Sequence, residues 1–254
     1  MSNHNLTRRQ SILMLGAAGL CAAVRGVASQ GSVGGGGGPR KVRRVFEFSK
    51  GAGGMLAGFS DFALSTGELD LIAEVRPLPP GVSCSGESRN AYYLEGNNHP
   101  DDLFMFLKGI ITESDGLIHG QGYLASFDIE FASNNNNCVG VGGSEASVFL
   151  KAGGTTYQPV TEVGKEETYD YVSINVDKGN QAQGGRDLGL IGSIWNGIEC
   201  PESEYRMLRR TYKHPTVIYA SRYAELWIAL GTDSGYESVT GVYYYKITVD
   251  LIPV

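Results

Sequence analysis

Histidine, cysteine and tryptophan are scarce in this chain, at four, four and two residues in 254. The histidines past the N-terminus, His99, His119 and His214, show no HxH or HExxH spacing, and no CxxC pair exists. A sequence-local zinc site is thereby excluded. A GxSxG nucleophile elbow is also missing, because GGSEA (142–146) breaks the pattern at its last position. A Ser-His-Asp triad built from distant loops stays open, since triads need no sequence proximity. Positive charge is in deficit: 21 Lys and Arg stand against 27 Asp and Glu, a net charge of −6. Such a chain lacks the basic footprint that phosphate backbones require, so no nucleic-acid partner is expected. No apolar run reaches the roughly 20 residues of a membrane-spanning helix, and no long amphipathic helix is legible.

What stands at the N-terminus is an address. MSNHNLTRRQ carries Arg8 and Arg9 with no acid, SILMLGAAGLCAAV follows as a short apolar stretch, and Arg25 with GVAS supplies a cleavage region. Together these read as a twin-arginine export signal over residues 1–28. Leu20 before Cys21 is not a lipobox residue, which argues against lipidation. Cleavage after Ala28 removes three arginines and leaves 18 basic residues against 27 acidic ones. Residues 29–40 contain five consecutive glycines and read as a flexible linker. Residues 41–254 then form a single domain, exported to the periplasm or beyond.

Within that domain the apolar period is two. Tyr123, Ala125, Phe127, Ile129 and Phe131 alternate with Ser126, Asp128 and Glu130; Val172, Ile174 and Val176 alternate with Ser173, Asn175 and Asp177. In VYYYKITVDL, Tyr243, Tyr245, Ile247, Val249 and Leu251 are expected on one side, with Lys246, Thr248 and Asp250 on the other. These are half-buried strands. DLFMFLKGII (102–111) and LWIAL (226–230) read as strands covered on both faces. Clusters of Gly, Asn and Pro separate the runs as turns. Residues 203–210 fit a helical turn or a strand equally. Many short strands without βαβ alternation predict an all-β, antiparallel jelly-roll β-sandwich.

Three stretches carry a resemblance: FEFSKGAGGMLAGFSDF (46–62), LIHGQGYLASFDIEFAS (117–133) and ELWIALGTDSGYESVTGVYYYKITVDL (225–251). They resemble strands of uncharacterised secreted bacterial proteins and of galactose-binding-like jelly-roll modules, a fold shared by carbohydrate-binding modules, receptor domains and enzyme accessories. The resemblance implies a galactose-binding-like sandwich. Such modules often hold a structural calcium near the last strand. Here Lys246 stands in that neighbourhood, and Glu47 with Asp250 would supply only part of a calcium shell, so no metal or other cofactor is assigned. Three cysteines remain after the signal, and their spacing does not choose among three pairings. Cys138 and Cys200 fall in loops of the resemblance, beside flexible segments that a covalent tie would order, and a Cys138–Cys200 disulfide is expected with Cys84 outside it.

For a ligand surface, sugar rings call for aromatic platforms beside amides and carboxylates. YYLEGNNHPDD offers Tyr92, Asn97, Asn98 and Asp101; DKGNQAQGGRD offers Asn180 and Arg186; IWNG offers Trp195 and Asn196. Asp233 and Glu237, four apart in a Gly/Ser-rich stretch, are expected to serve a turn rather than a glycosidase pair. These features favour a non-catalytic exported protein that binds a glycan or other small ligand at the cell envelope. A secreted hydrolase and a structural envelope protein are the alternatives.

Overall fold

The computed structural model describes residues 40–86, 89–99, 102–141, 143–166 and 168–254. The expected signal, all of the linker but Arg40, and Asp101 lie outside the described residues. In chain order, β1 (Val42–Glu47), β2 (Leu56–Ser60), β3 (Phe62–Ala63), β4 (Ile72–Pro77) and β5 (Asn90–Asn97) lead to β6 (Leu103–Ile111) and β7 (Gly122–Ser133). Two short pieces, β8 (Val139–Gly140) and β9 (Gly143–Ser144), precede β10 (Val148–Thr155), β11 (Thr161–Glu166), β12 (Tyr169–Ile174) and β13 (Leu188–Ser193). The chain closes with β14 (Arg206–Lys213), β15 (Ile218–Tyr219), β16 (Leu226–Ser234) and β17 (Val239–Pro253). Residues 206–213 are thus strand, which resolves the helix-or-strand ambiguity there. Among the described residues, no helix is long and apolar enough to cross a membrane.

The strands form an antiparallel sandwich. One sheet runs β14-β7-β17-β5-β4, with β1 also on β17 and β15 on β7; the other runs β13-β10-β16-β6-β2. The chain crosses from sheet to sheet between β5 and β6, β6 and β7, and β16 and β17, the winding of a jelly roll. Between the sheets lies one apolar core. Phe127, Ile129 and Phe131 of β7 meet Met105 and Leu107 of β6 and Ile228 and Leu230 of β16. Each such side chain, fully withdrawn from water, contributes about 1.5–3 kcal/mol. Ser126, Asp128 and Glu130 are not part of that core, as the period-two pattern of β7 requires.

The pattern of β17 departs from expectation. A register shift between Tyr244 and Lys246 leaves Tyr245 as an extra residue in the pairing with β7. A bulge of this kind reverses the phase of the pleat. Tyr244 therefore joins Ile247, Val249 and Leu251 in the inter-sheet core, while Tyr243 and Tyr245 pack on the outer face with Tyr93 and Ala132.

Both sheets carry a cover on their outer face. Leu78 and Val82 close over Tyr93 and Tyr243 on the first sheet. On the second, Val176 closes over Phe104, Phe106 and Ala229 beside Leu188 of β13. That second cover explains why residues 102–111 and 226–230 are apolar on both sides. It comes from the segment following a small third sheet, β11-β12-β3.

Candidate functional site

The cover of the second sheet conceals charge as well as rings. The inward residues Val148, Leu150 and Ala152 of β10 and Leu226, Ile228 and Leu230 of β16 are apolar, and the opposite phase places Lys151 and Asp233 on the outer face. Both are fully buried there, with Lys151 Nζ 2.6 Å from Asp233 Oδ2. Lys178, from the covering segment, adds its ammonium 2.8 Å from the same oxygen and 2.6 Å from Asp61 Oδ2. Lys151 completes its donors on the carbonyls of Lys178 and Gln183, both at 2.9 Å. Asp102, next to the start of β6, brings a third carboxyl, and one oxygen from each of Asp61, Asp102 and Asp233 lies within 4.8 Å of the others.

The segment 177–187 is folded tightly to reach this position. The amides of Asp187 and Leu188 both donate to Asp177 O, and the Asp177 side chain accepts from the amides of Gly179 and Arg186. Gly179 has φ +68°, and a Cβ on it would lie 2.4 Å from Gln183 O, so only glycine fits. Gln181 holds φ +43°, uncommon for a residue with a side chain, and its amide donates to Asp233 Oδ2 at 2.9 Å. The buried carboxylate thus helps to keep the loop in place.

Burial and charge pull these groups apart. Burial, followed by the charge of Asp233, pushes the Asp102 carboxyl up to about 8. For Asp233 burial opposes ionisation, but the two ammoniums outweigh it and its pKa falls below the usual range. Burial lowers Lys151, whereas for Lys178 the carboxylates Asp233 and Asp61 overcome burial and raise it. Two orphan atoms remain: Oδ1 of Asp102 and Oδ1 of Asp233 are buried without a partner. A proton on Asp102 gives this pair of oxygens a shared partner. The three carboxylates would suit a cation by number alone, but the ammoniums of Lys151 and Lys178 already neutralise Asp233 and repel a metal ion.

Above the cluster opens a cavity of about 290 Å³, lined by Asp61, Asp102, Tyr171, Asp177, Lys178 and Asn180 among others. Burial and the nearby Asp61 and Asp102 carboxyls keep the Tyr171 phenol protonated by raising its pKa. A larger hollow of about 590 Å³ lies between residues 79–83 and 204–207. Its charges, Glu204 and Arg206, pair with each other at 2.8 Å. Convergent polar groups occur in the smaller one, and we place the candidate site there.

Of the residues expected to face a ligand, Asn180 lines this cavity and Arg186 lies on the same loop, exposed, with its Nε on Asp187 at 3.0 Å. The others lie elsewhere. Tyr92 is buried between the sheets against Phe48, with ring centroids 5.5 Å apart, and offers no platform to solvent. Asn98 is buried with its amide on the carbonyls of Ser234 and Tyr236. Asn196 is buried with its amide on those of Ser133 and Glu204. Both amides satisfy backbone that would otherwise lack a donor, a structural duty that withdraws them from any ligand. Asn97 ends β5, its backbone amide on Leu69 O. Trp195 is 37% exposed, with its indole N–H on Ile198 O at 3.0 Å, away from the cavity lining. Asp233 does not sit in the expected turn: it is inside β16, and only the residues after Ser234 turn. Glu47 and Asp250 are both engaged by cations, Glu47 by Lys246 at 3.7 Å and Asp250 by Lys41 and Arg43.

Sequence reasoning missed Asp61, Asp102, Lys151, Tyr171 and Lys178. One signal was present: Lys151 interrupts the apolar run VFLKA in a strand, and a buried ammonium demands a carboxylate. Cys138 and Cys200 are joined by a disulfide, and Cys84 lies outside it with its Sγ 3.4 Å from Gly86 O.

No family model and no curated protein matches the chain. Solved structures similar to it include the carbohydrate-binding module TmCBM61 in complex with β-1,4-galactotriose, at 10% identity and a TM-score of 0.33, covering 80% of this chain and 90% of that one. Another is the K3 cleaved adhesin domain of Lys-gingipain from Porphyromonas gingivalis, at 8% identity and TM-score 0.35, covering 81% and 97%. A cyclase from Fischerella sp. TAU matches at 10% identity and TM-score 0.34, covering 78% and 85%. The class of protein rests on the strands themselves: an all-β, antiparallel jelly-roll sandwich with a buried ionic cluster beneath one outer face.

Proposed function

We propose that this chain is an exported, non-catalytic glycan-binding module of the galactose-binding-like type, and that its ligand lies in the cavity above Asp61 and Lys178. The observation that carries the reading is the convergence there of carboxyls, an ammonium, the Asn180 amide and the Tyr171 ring. A sugar presents hydroxyls that both donate and accept and a CH face that stacks on an aromatic ring, and this lining offers a partner for each. The disulfide fits an oxidising compartment, which supports export. The hydrolase alternative is weakened by the acid pair: Asp233, the carboxyl with a lowered pKa, is sealed from the cavity by two lysines and the Gln181 amide. It does not line the cavity.

A glycan array followed by calorimetry tests the reading. Tyr171→Ala and Asn180→Ala are each expected to weaken glycan binding at least tenfold, about 1.4 kcal/mol. Trp195→Ala is expected to leave it unchanged. Absence of any glycan ligand, or binding that survives Tyr171→Ala, refutes the site. Turnover of chromogenic glycosides or esters would restore the hydrolase.

A further inference from the structure

We propose that Lys151 and Asp233 become joined after folding by an intramolecular amide between Nζ and Cγ, with Asp102 delivering the proton that releases water. Three observations meet at this pair. The reacting groups are already in contact, with Nζ 2.6 Å from Oδ2, and both side chains are fully buried. Neighbouring strands hold them there, β10 pairing β16 with Lys151 opposite Gly231 and Phe149 opposite Asp233. Intramolecular groups that reach a near-attack geometry react as if at an effective concentration of about 10⁵–10⁸ M.

The second observation is the distribution of partners on Asp233. Oδ2 accepts from Lys151, Lys178 and the Gln181 amide, while Oδ1 receives none of these donors. The third is Asp102, whose own Oδ1 is an orphan and whose carboxyl faces Asp233 within the same cluster. One oxygen is therefore held by donors that would stabilise negative charge in a tetrahedral intermediate. The other is free to leave as water, with an acid beside it.

The step balances without an outside reagent. The Lys151 ammonium gives a proton to the carboxyl pair and becomes an amine, whose lone pair attacks Asp233 Cγ and forms the N–C bond. Asp102 protonates Oδ1, the C–Oδ1 bond breaks, and one water departs. A second proton from the former ammonium restores Asp102. No oxidation state changes. Burial disfavours the Lys151 ammonium and keeps Asp102 protonated, which supplies the amine and the acid together. Lys178, held charged by Asp233 and Asp61, is the poorer nucleophile. The rings of Phe104 and Phe106, stacked at 5.4 Å on the same face, help to exclude water. Removing two opposite charges from such a site relieves the desolvation cost that a buried ion pair carries.

Mass-spectrometric peptide mapping of the reduced, denatured full chain reads the bond. Trypsin is expected to skip Lys151, and the segment carrying it should appear branched to the segment carrying Asp233, lighter than the two together by one water. Linear peptides with cleavage at Lys151 in wild-type protein overturn the proposal. Folded Asp102→Asn is expected to yield the linear pattern, and a link of undiminished yield in it removes Asp102 from the step. A branched species that persists in Lys151→Arg assigns the bond to a different lysine and overturns the pairing.

Discussion

Asp250 shows what single charges do on the outer face of this sandwich. It lies near the end of β17, opposite Arg43 in register, and accepts from Arg43 Nε at 2.6 Å with Lys41 Nζ at 2.9 Å. The Arg43 hydrogen bond leads in bringing its carboxyl down to about 2, against the opposing effect of burial and with the help of Lys41. The folded pKa lies below the unfolded value of about 3.9, so the contribution to stability is present above that value. It is lost as pH falls through about 2. Asp250→Asn is therefore expected to flatten the acid limb of the melting-temperature profile below about pH 4. A variant whose acid limb matches that of the wild type contradicts this. The buried amides of Asn98 and Asn196 act differently, because they bind backbone carbonyls and carry no pH dependence.

Among elements, the Asn-rich segment after β7 and the loop between β13 and β14 depend on one another. Asn136 donates to Glu202 O at 2.8 Å, and the Cys200 amide donates to Asn137 Oδ1 at 2.7 Å. The Cys138–Cys200 disulfide ties the same two segments across a sequence separation of 62 residues. Closing a loop of that length is worth about 4 kcal/mol in the chain-entropy model. Replacing both cysteines by serine should lower the unfolding free energy in urea by an amount of that order while leaving the far-ultraviolet spectrum β-dominated. A loss well below about 1 kcal/mol would mean that the hydrogen bonds alone order these loops. The bulge at Tyr245 is the other decisive local feature, since it sends one tyrosine of the YYY run inward and two outward.

For the molecule as a whole, the proposed export would provide the oxidising compartment for the disulfide, and the paired Arg8 and Arg9 carry that expectation. Arg8→Lys combined with Arg9→Lys should leave the precursor in the cytoplasm, detected by fractionation and immunoblotting. Normal export of that double variant would exclude the twin-arginine route and leave the destination open. The two outer covers give the sandwich an asymmetry of purpose. One closes over tyrosines and Arg76, whose guanidinium stacks 3.5 Å from the Tyr93 ring centroid. The other closes over ions and leaves a cavity beside them.

Strand after strand could be read from local alternation, because a pleat sends neighbouring side chains to opposite faces whatever lies beyond them. The runs at 102–111 and 226–230 even announced that the second sheet would be covered twice. The phase of β17 was not legible, since a bulge depends on the pairing of two strands and not on the composition of one. The ionic cluster was hidden for a related reason. Asp61, Asp102, Lys151, Lys178 and Asp233 come from five separate stretches of chain, and apart from Lys151, which interrupts an apolar run, each alone looks like an ordinary surface charge. Only the folding of residues 177–187 over β10 and β16 withdraws them from water, and it is that withdrawal, through desolvation and mutual charge, that sets their chemistry.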